Sequence, residues 1–551
     1  MSNYLSNNEA SDRASVARRR RRLWLASGVA GLTGVVSIAA VGVAATAGAV
    51  GAGGLSWSAA QQAITGGDQG QPGKGGKESP EGGNGKDDKK GKGDKKESGR
   101  DHERGKEVPC DTDKLIQAIV YANSSDGGVL KLAKGCTYDL SRNEDGNGLP
   151  VITEDITLKG DHTTISREAT ADYFRILNVG AGGHLTLKGL TIKGGQTSQY
   201  LTAPTPEAVW SLYSNSVEMT RAAAAGKPVE KAAVGADKVR TTKKAVVKAT
   251  PRAGVARPLV EEPGVADGAG ILVQPGGSAD IVDTAIVHNH SGGNGGGLAN
   301  FGTTKLSHST VAHNSAFFFG GGILNAGLLK VTDSKVTDNS AIIGGAGIAN
   351  GAPRIFDEDI DAGTILLEKT KITENETLGF GGGLLDIGGT TNAHYTQFGG
   401  NSALLAGGGV AAIDAQVTLS HTTVDKNSTA GVGGGLAVAF DSAVTLDNVA
   451  VKENKAGFFG GGIFNTLSVV TIRHSHITGN EAVGPFGVGG GIFNIFGRVT
   501  LDSSKVTHNF ARLTGGGIFT FPNGVEVDEE SAITANRPNN CAGSPVPNCF
   551  G

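Results

Sequence analysis

Gly460-Gly461-Gly462-Ile463-Phe464-Asn465, then Val470-Thr471-Ile472, then Ile477-Thr478 running into Asn480, is the stretch that decides the fold. Its glycine triplet returns at Gly295, Gly320, Gly381, Gly407, Gly433, Gly489 and Gly515, and the variant Gly344-Gly345-Ala346-Gly347 fills the one gap. A period in the twenties marks a stacked repeat, in which each unit buries its apolar face only against its neighbours. No unit holds a 3.6-residue apolar period long enough for a helix. Val, Ile and Thr fill the alternating runs, as expected of strands with one face in and one out. Three short strands and their turns consume one unit, so each unit makes one turn of a coil. At roughly 4.8 Å per parallel step, the glycine-marked coils build a rod about 40 Å long.

The asparagines point the same way. Asn289, Asn314, Asn339, Asn375, Asn401, Asn427, Asn454, Asn480, Asn509 and Asn536 recur once per unit, and Asn300, Asn325, Asn350, Asn465 and Asn494 end glycine strands. Asn tolerates left-handed bends, and stacked in register its amides can bond one another as a ladder. A row of ligand-binding amides is the weaker reading.

The Gly-Gly-x-Ile and Phe-x-x-Asn style of repeat resembles the right-handed parallel β-helix proteins of the pectin-lyase-like superfamily. Within that group it is similar to polymorphic outer membrane proteins and their secreted relatives in Gram-positive actinobacteria. The resemblance runs from about Val108 to the C-terminus and implies an all-β, single right-handed parallel β-helix. It leaves activity open, because such scaffolds host lyases, hydrolases, adhesins and passenger domains alike.

The chain divides around that rod. Residues 1–50 read as an export signal or an anchor: Arg18 to Arg22 precede an apolar stretch from Leu23 to Val50, with Ala45, Ala47 and Ala49 offering cleavage sites. The arginine run loosely resembles a twin-arginine signal, and the apolar stretch is also long enough to stay in a bilayer. Residues 51–107 read as a disordered linker of Gly, Lys, Asp, Glu and Ser with nothing to bury. From 108 to 551 runs the β-helix, broken by a long low-complexity, basic insertion at 196–266. That insertion either attracts anionic polymers or has no role. Asp111 to Asn123 predicts a capping helix with Leu115, Ile116, Ala118, Ile119 and Ala122 on its apolar face. Four cysteines in an exported chain predict disulfides, and adjacency pairs Cys110 with Cys136 and Cys541 with Cys549.

Chemistry is sparsely signalled. Net charge is −3, aromatics are 5% and glycines number 88 of 551. Interspersed charges argue against a nucleic-acid partner. In the family it resembles, pectate lyases carry an arginine base with Ca²⁺, and polygalacturonases an Asn-Thr-Asp, Asp-Asp and Ser-His-Gly set; none of these motifs is present. Asp386, which replaces a ladder Asn, and Asp414 are the weak catalytic candidates. Asp447, Arg473 and Asp502 align as an acid–base–acid column worth little when exposed. His474 and His476 are expected on one side of one strand, without a third metal ligand. Asp357, Glu358, Asp359 and Asp361 share a short loop that either holds Ca²⁺ or is a solvated turn; no other cofactor is implied.

Phe464, Phe493 and Phe519 fall at an outward position of the last glycine strands. They predict an exposed aromatic column for sugar rings or a partner, unless neighbouring loops cover it. The expectation is a secreted or cell-surface, adhesin-like interaction module for a polysaccharide or cell-surface component, touching membrane only through an uncleaved N-terminus. A polysaccharide lyase or glycoside hydrolase is the alternative.

Overall fold

A computed structural model describes residues 105–197, 266–352 and 362–550. The proposed signal, nearly all of the linker, the body of the 196–266 insertion and the acidic loop with Asp357, Glu358, Asp359 and Asp361 lie outside the described residues.

The described chain is a parallel β-helix of about 14 turns. One coil shows the plan. A glycine strand, Leu298–Asn300, is followed by a five-residue strand, Thr303–Ser307, a three-residue strand, Thr310–Ala312, and a two-residue strand, Ser315–Ala316. The first joins a 12-stranded sheet and the last a 9-stranded one; the middle two share a 25-stranded sheet that bends between them. The strands pair in parallel, and through the glycine-marked coils they stay in register, as in Ile463↔Ile492, Phe464↔Phe493 and Asn465↔Asn494. The two-residue strand adds a short fourth pairing to the three expected from sequence.

The glycine triplet has three separate causes. Gly460 sits at φ 64°, in the left-handed region. A Cβ on Gly461 would lie 2.5 Å from the Glu481 backbone of the next coil, and one on Gly462 would lie 2.6 Å from the Gly491 carbonyl oxygen. Close approach of neighbouring coils therefore excludes any side chain at the second and third positions.

Inside the rod, the alternating Val, Ile and Leu residues form one continuous core from Val108 to Ile533. Helix α1, Thr112–Asn123, closes its N-terminal end with Leu115, Ala118, Ile119 and Ala122 buried, and the Asp111 carboxylate accepts from the Asp113 and Lys114 backbone N–H groups. The first strand already begins at Lys106, which pairs with Leu130. Disulfides Cys110–Cys136 and Cys541–Cys549 fasten the two ends with the expected pairing. Among the described residues no helix is long and apolar enough to cross a membrane.

Several polar files line this core, two of them at its corners. The Asn289 main-chain N–H and side-chain Nδ2 both donate to Oδ1 of Asn314 at 3.0 Å, and the pattern repeats down to Asn536. Each Nδ2 also caps a strand carbonyl, as Asn427 does for Phe398, so the buried amides are satisfied. A second file, of Ser and Thr hydroxyls, turns the bend of the large sheet; Ser309, for example, donates its N–H to Ser334 Oγ at 3.1 Å.

Candidate functional site

The expected aromatic column exists, but it is not exposed as predicted. Phe464, Phe493 and Phe519 stack with nearly parallel rings, their centroids 5.6 Å and 5.0 Å apart. Phe464 is fully buried and Phe493 is 6% exposed. The turn before each glycine triplet folds back over the outer side of the glycine strand. Phe319, Phe380, Val432 and Phe459 thereby roof Leu324, Leu385, Ala437 and Phe464 in a second apolar core outside the coil. Phe519, the last of the column, stays partly exposed, and Phe496 and Phe521 reach solvent in the next corner.

The two candidate acids are also placed by packing. Asp386 is fully buried, accepting from Asn350 Nδ2 at 3.1 Å, Gly389 N–H at 3.1 Å and Thr391 Oγ1 at 2.6 Å. Burial pushes its pKa up to about 7. That value would suit a proton carrier, but no substrate reaches this carboxyl. Asp414 occupies the corner after Val410–Ile413, in the left-handed region at φ 52°.

Of the charge column, Arg473 lies 3.8 Å from Asp502, and Asp447 instead meets His474 Nδ1 at 3.2 Å. His474 and His476 do not share a strand: His474 sits in the bend and His476 opens the three-residue strand beyond it. Among the described residues no group of three His, Cys, Asp or Glu is arranged to hold a metal ion.

The outer side of the bend in the large sheet holds a candidate site that sequence reasoning missed. Each coil places one left-handed residue there, its side chain carried outward: His308, Asp333, Lys369, Tyr395, His421, Asn448 and His474. Asp, Asn and His accept that backbone geometry readily, whereas a bulky Tyr at φ 50° is an outlier. Phe440, Leu467 and Phe496 take the same geometry in the corner after the glycine strand, so along the bend Tyr395 is set apart by its exposed ring. Tyr395 is 53% exposed. It packs edge-on to His394 at 4.1 Å and lies 5.0 Å from His421. Ser420 Oγ holds His394 Nδ1 at 2.8 Å, fixing one wall of the cluster.

Beside this platform the surface flattens. Gly399 and Gly400 stand where neighbouring coils carry side chains, and adjacent polar groups lie down over them. Gln397 Nε2 donates to Asp425 Oδ1 at 3.0 Å, and Asp425 is only 8% exposed. From the other side the Glu374 carboxylate rests against Gly400, where a Cβ would meet it at 2.2 Å. An aromatic face and a preset amide–carboxylate pair thus sit two residues apart on one surface. The signal was present in the sequence: aligning coils by their triplets puts Tyr395 in a file of His, Asp, Lys and Asn.

No family model and no curated protein matches this chain. Among solved structures it is similar to the A-module of the Azotobacter vinelandii mannuronan C-5 epimerase AlgE6, at 12% identity over 79% of this chain and 95% of that one. The TM-score of 0.33 makes that likeness too distant to carry an argument.

Proposed function

We propose that this chain is an exported, rod-shaped interaction module of the cell surface or extracellular matrix that binds a polysaccharide along the outer bend. Tyr395 is its stacking platform, and the observation that carries the reading is that exposed, left-handed tyrosine braced by His394 and His421. Sugar rings present a C–H face that packs on an aromatic ring while their hydroxyls seek fixed polar partners, which Gln397, Asp425 and Glu374 supply. Two disulfides agree with an oxidising compartment. The resemblance to pectin-lyase-like helices and to polymorphic outer membrane proteins supports a secreted, adhesin-like role, and the Arg18–Arg22 run with its apolar sequel supports export.

The test is affinity electrophoresis of the whole secreted chain through gels holding different polysaccharides. Tyr395→Ala should cost about tenfold in affinity, roughly 1.4 kcal/mol, with an unchanged circular dichroism melt. Equal retention of variant and parent would remove Tyr395 from the site.

One observation favours the enzyme reading as second choice. Glu374 and Asp425 lean toward Gly400 and Gly399 from opposite sides, and glycoside hydrolysis uses two facing carboxylates. Release of reducing ends or unsaturated products by the parent, lost in Glu374→Gln, would establish it.

A further inference from the structure

Resting on that reading, we infer that the polymer held beside Tyr395 is a neutral hexose or pentose chain, not a uronate or other polyanion. The charges around the platform decide this. The three coils spanning it carry Glu368, Lys369, Lys371, Glu374, Glu376, Asp425 and Lys426 on this side, three cations against four carboxylates. Two of the lysines already have an acidic neighbour: Lys369 Nζ is 4.0 Å from Glu368 and Lys426 Nζ is 4.0 Å from Glu453. A polyanion entering here gains little net attraction.

The fixed groups work against an anion more strongly. Asp425 is nearly buried and tethered by Gln397, so it cannot swing into water to avoid a like charge. Glu374 lies over Gly400, in contact with the same flat strip. A ligand carboxylate set down beside two placed carboxylates is repelled and loses its hydration, which is how a site rejects one ligand class while accepting another. A hydroxyl set down there instead donates to a carboxylate, a charge-assisted bond stronger than one between neutral groups. The pyranose face stacks on Tyr395, and the histidine and glutamine side chains supply further donors or acceptors. Neutral hydroxyls fit every fixed group on the strip.

The experiment compares a soluble mixed-linkage β-glucan, a galactomannan and a xylan with polygalacturonate and alginate, at low and at high sodium chloride, using the whole chain. Retention by at least one neutral polymer, unchanged by salt and lost in Tyr395→Ala, is the expected result. In Asp425→Asn the acceptor for Gln397 remains and the charge goes. Affinity for the neutral polymer should then fall severalfold while that for polygalacturonate rises. Retention by the uronate polymers alone, weakening as salt screens it, would overturn this inference and leave the binding reading standing. Equal retention of both classes would also overturn it. If no polymer of either class is retained, the binding reading and the inference fall together.

Discussion

Asp386 is the residue where pattern and physics meet most closely. Asn300, Asn325 and Asn350 each pass an Nδ2 hydrogen bond to the next coil, and Asp386 receives the last one. The next residues in register are Ala412 and Val438, which neither donate nor accept. A terminal position needs acceptors, and both oxygens of the Asp386 carboxyl accept here. The file resumes at Asn465, whose Oδ1 is buried without a hydrogen bond, because nothing precedes it to donate. The sequence showed that Asp386 broke the Asn pattern; which coil followed it in register, and hence its role as terminator, needed the neighbours. Its raised pKa has a stability consequence. The folded state keeps the proton up to about pH 7, whereas the unfolded chain releases it near 3.8. Between those values the folded state binds more protons, so stability falls as pH rises, and it levels off above the folded value. Asp386→Asn should flatten that slope in melting temperatures taken across the interval. An unchanged slope would show that other groups set it.

At the scale of the element, the coil tolerates change according to where its backbone meets the next one. Gly461→Ala drives a methyl group into the Glu481 main chain and should cost at least about 3 kcal/mol in chemical denaturation. Gly479 has a similar left-handed φ of 65°, but its nearest neighbour is Glu453 Cγ at 3.7 Å. Gly479→Asn should therefore stay within about 0.5 kcal/mol of the parent. Similar losses in both would mean that the backbone angle, not the close approach, governs the repeat. Strand existence, the coil period and the Asn file were legible because each is written in spacing alone. The second apolar core was not. An outward position on a strand reads as solvent-facing, and Phe464 is roofed by side chains from turns of its own and neighbouring coils. Tyr395 was hidden for a related reason: its neighbours Glu374, His421 and Asp425 lie about one coil away in sequence and become adjacent only by stacking.

For the whole molecule, continuity of the rod does not depend on continuity of the chain at every point. Thr197 Oγ1 donates to the Ala266 carbonyl at 2.5 Å, and Ser291 Oγ holds the same oxygen at 2.6 Å. Asp267 Oδ1 accepts from both nitrogens of Asn294 just beyond. Strand pairing runs straight across this neck, from Leu177–Val179 to Ile271–Val273. Replacing residues 198–265 by a Gly-Ser linker of about six residues should leave stability unchanged or raise it by up to about 2 kcal/mol, because a shorter loop costs less to close, as read from thermal melts with both disulfides intact. A large loss would show that the neck needs what it carries. The long file of asparagines has a further consequence. From Asn314 to Asn536 every side-chain amide is oriented in the same sense, its Oδ1 turned to the preceding coil, where it accepts from the Asn before it. Like-oriented dipoles add. These amides contribute an electric moment along the long axis, positive toward the C-terminal cap, which favours head-to-foot alignment of two such molecules lying flank to flank.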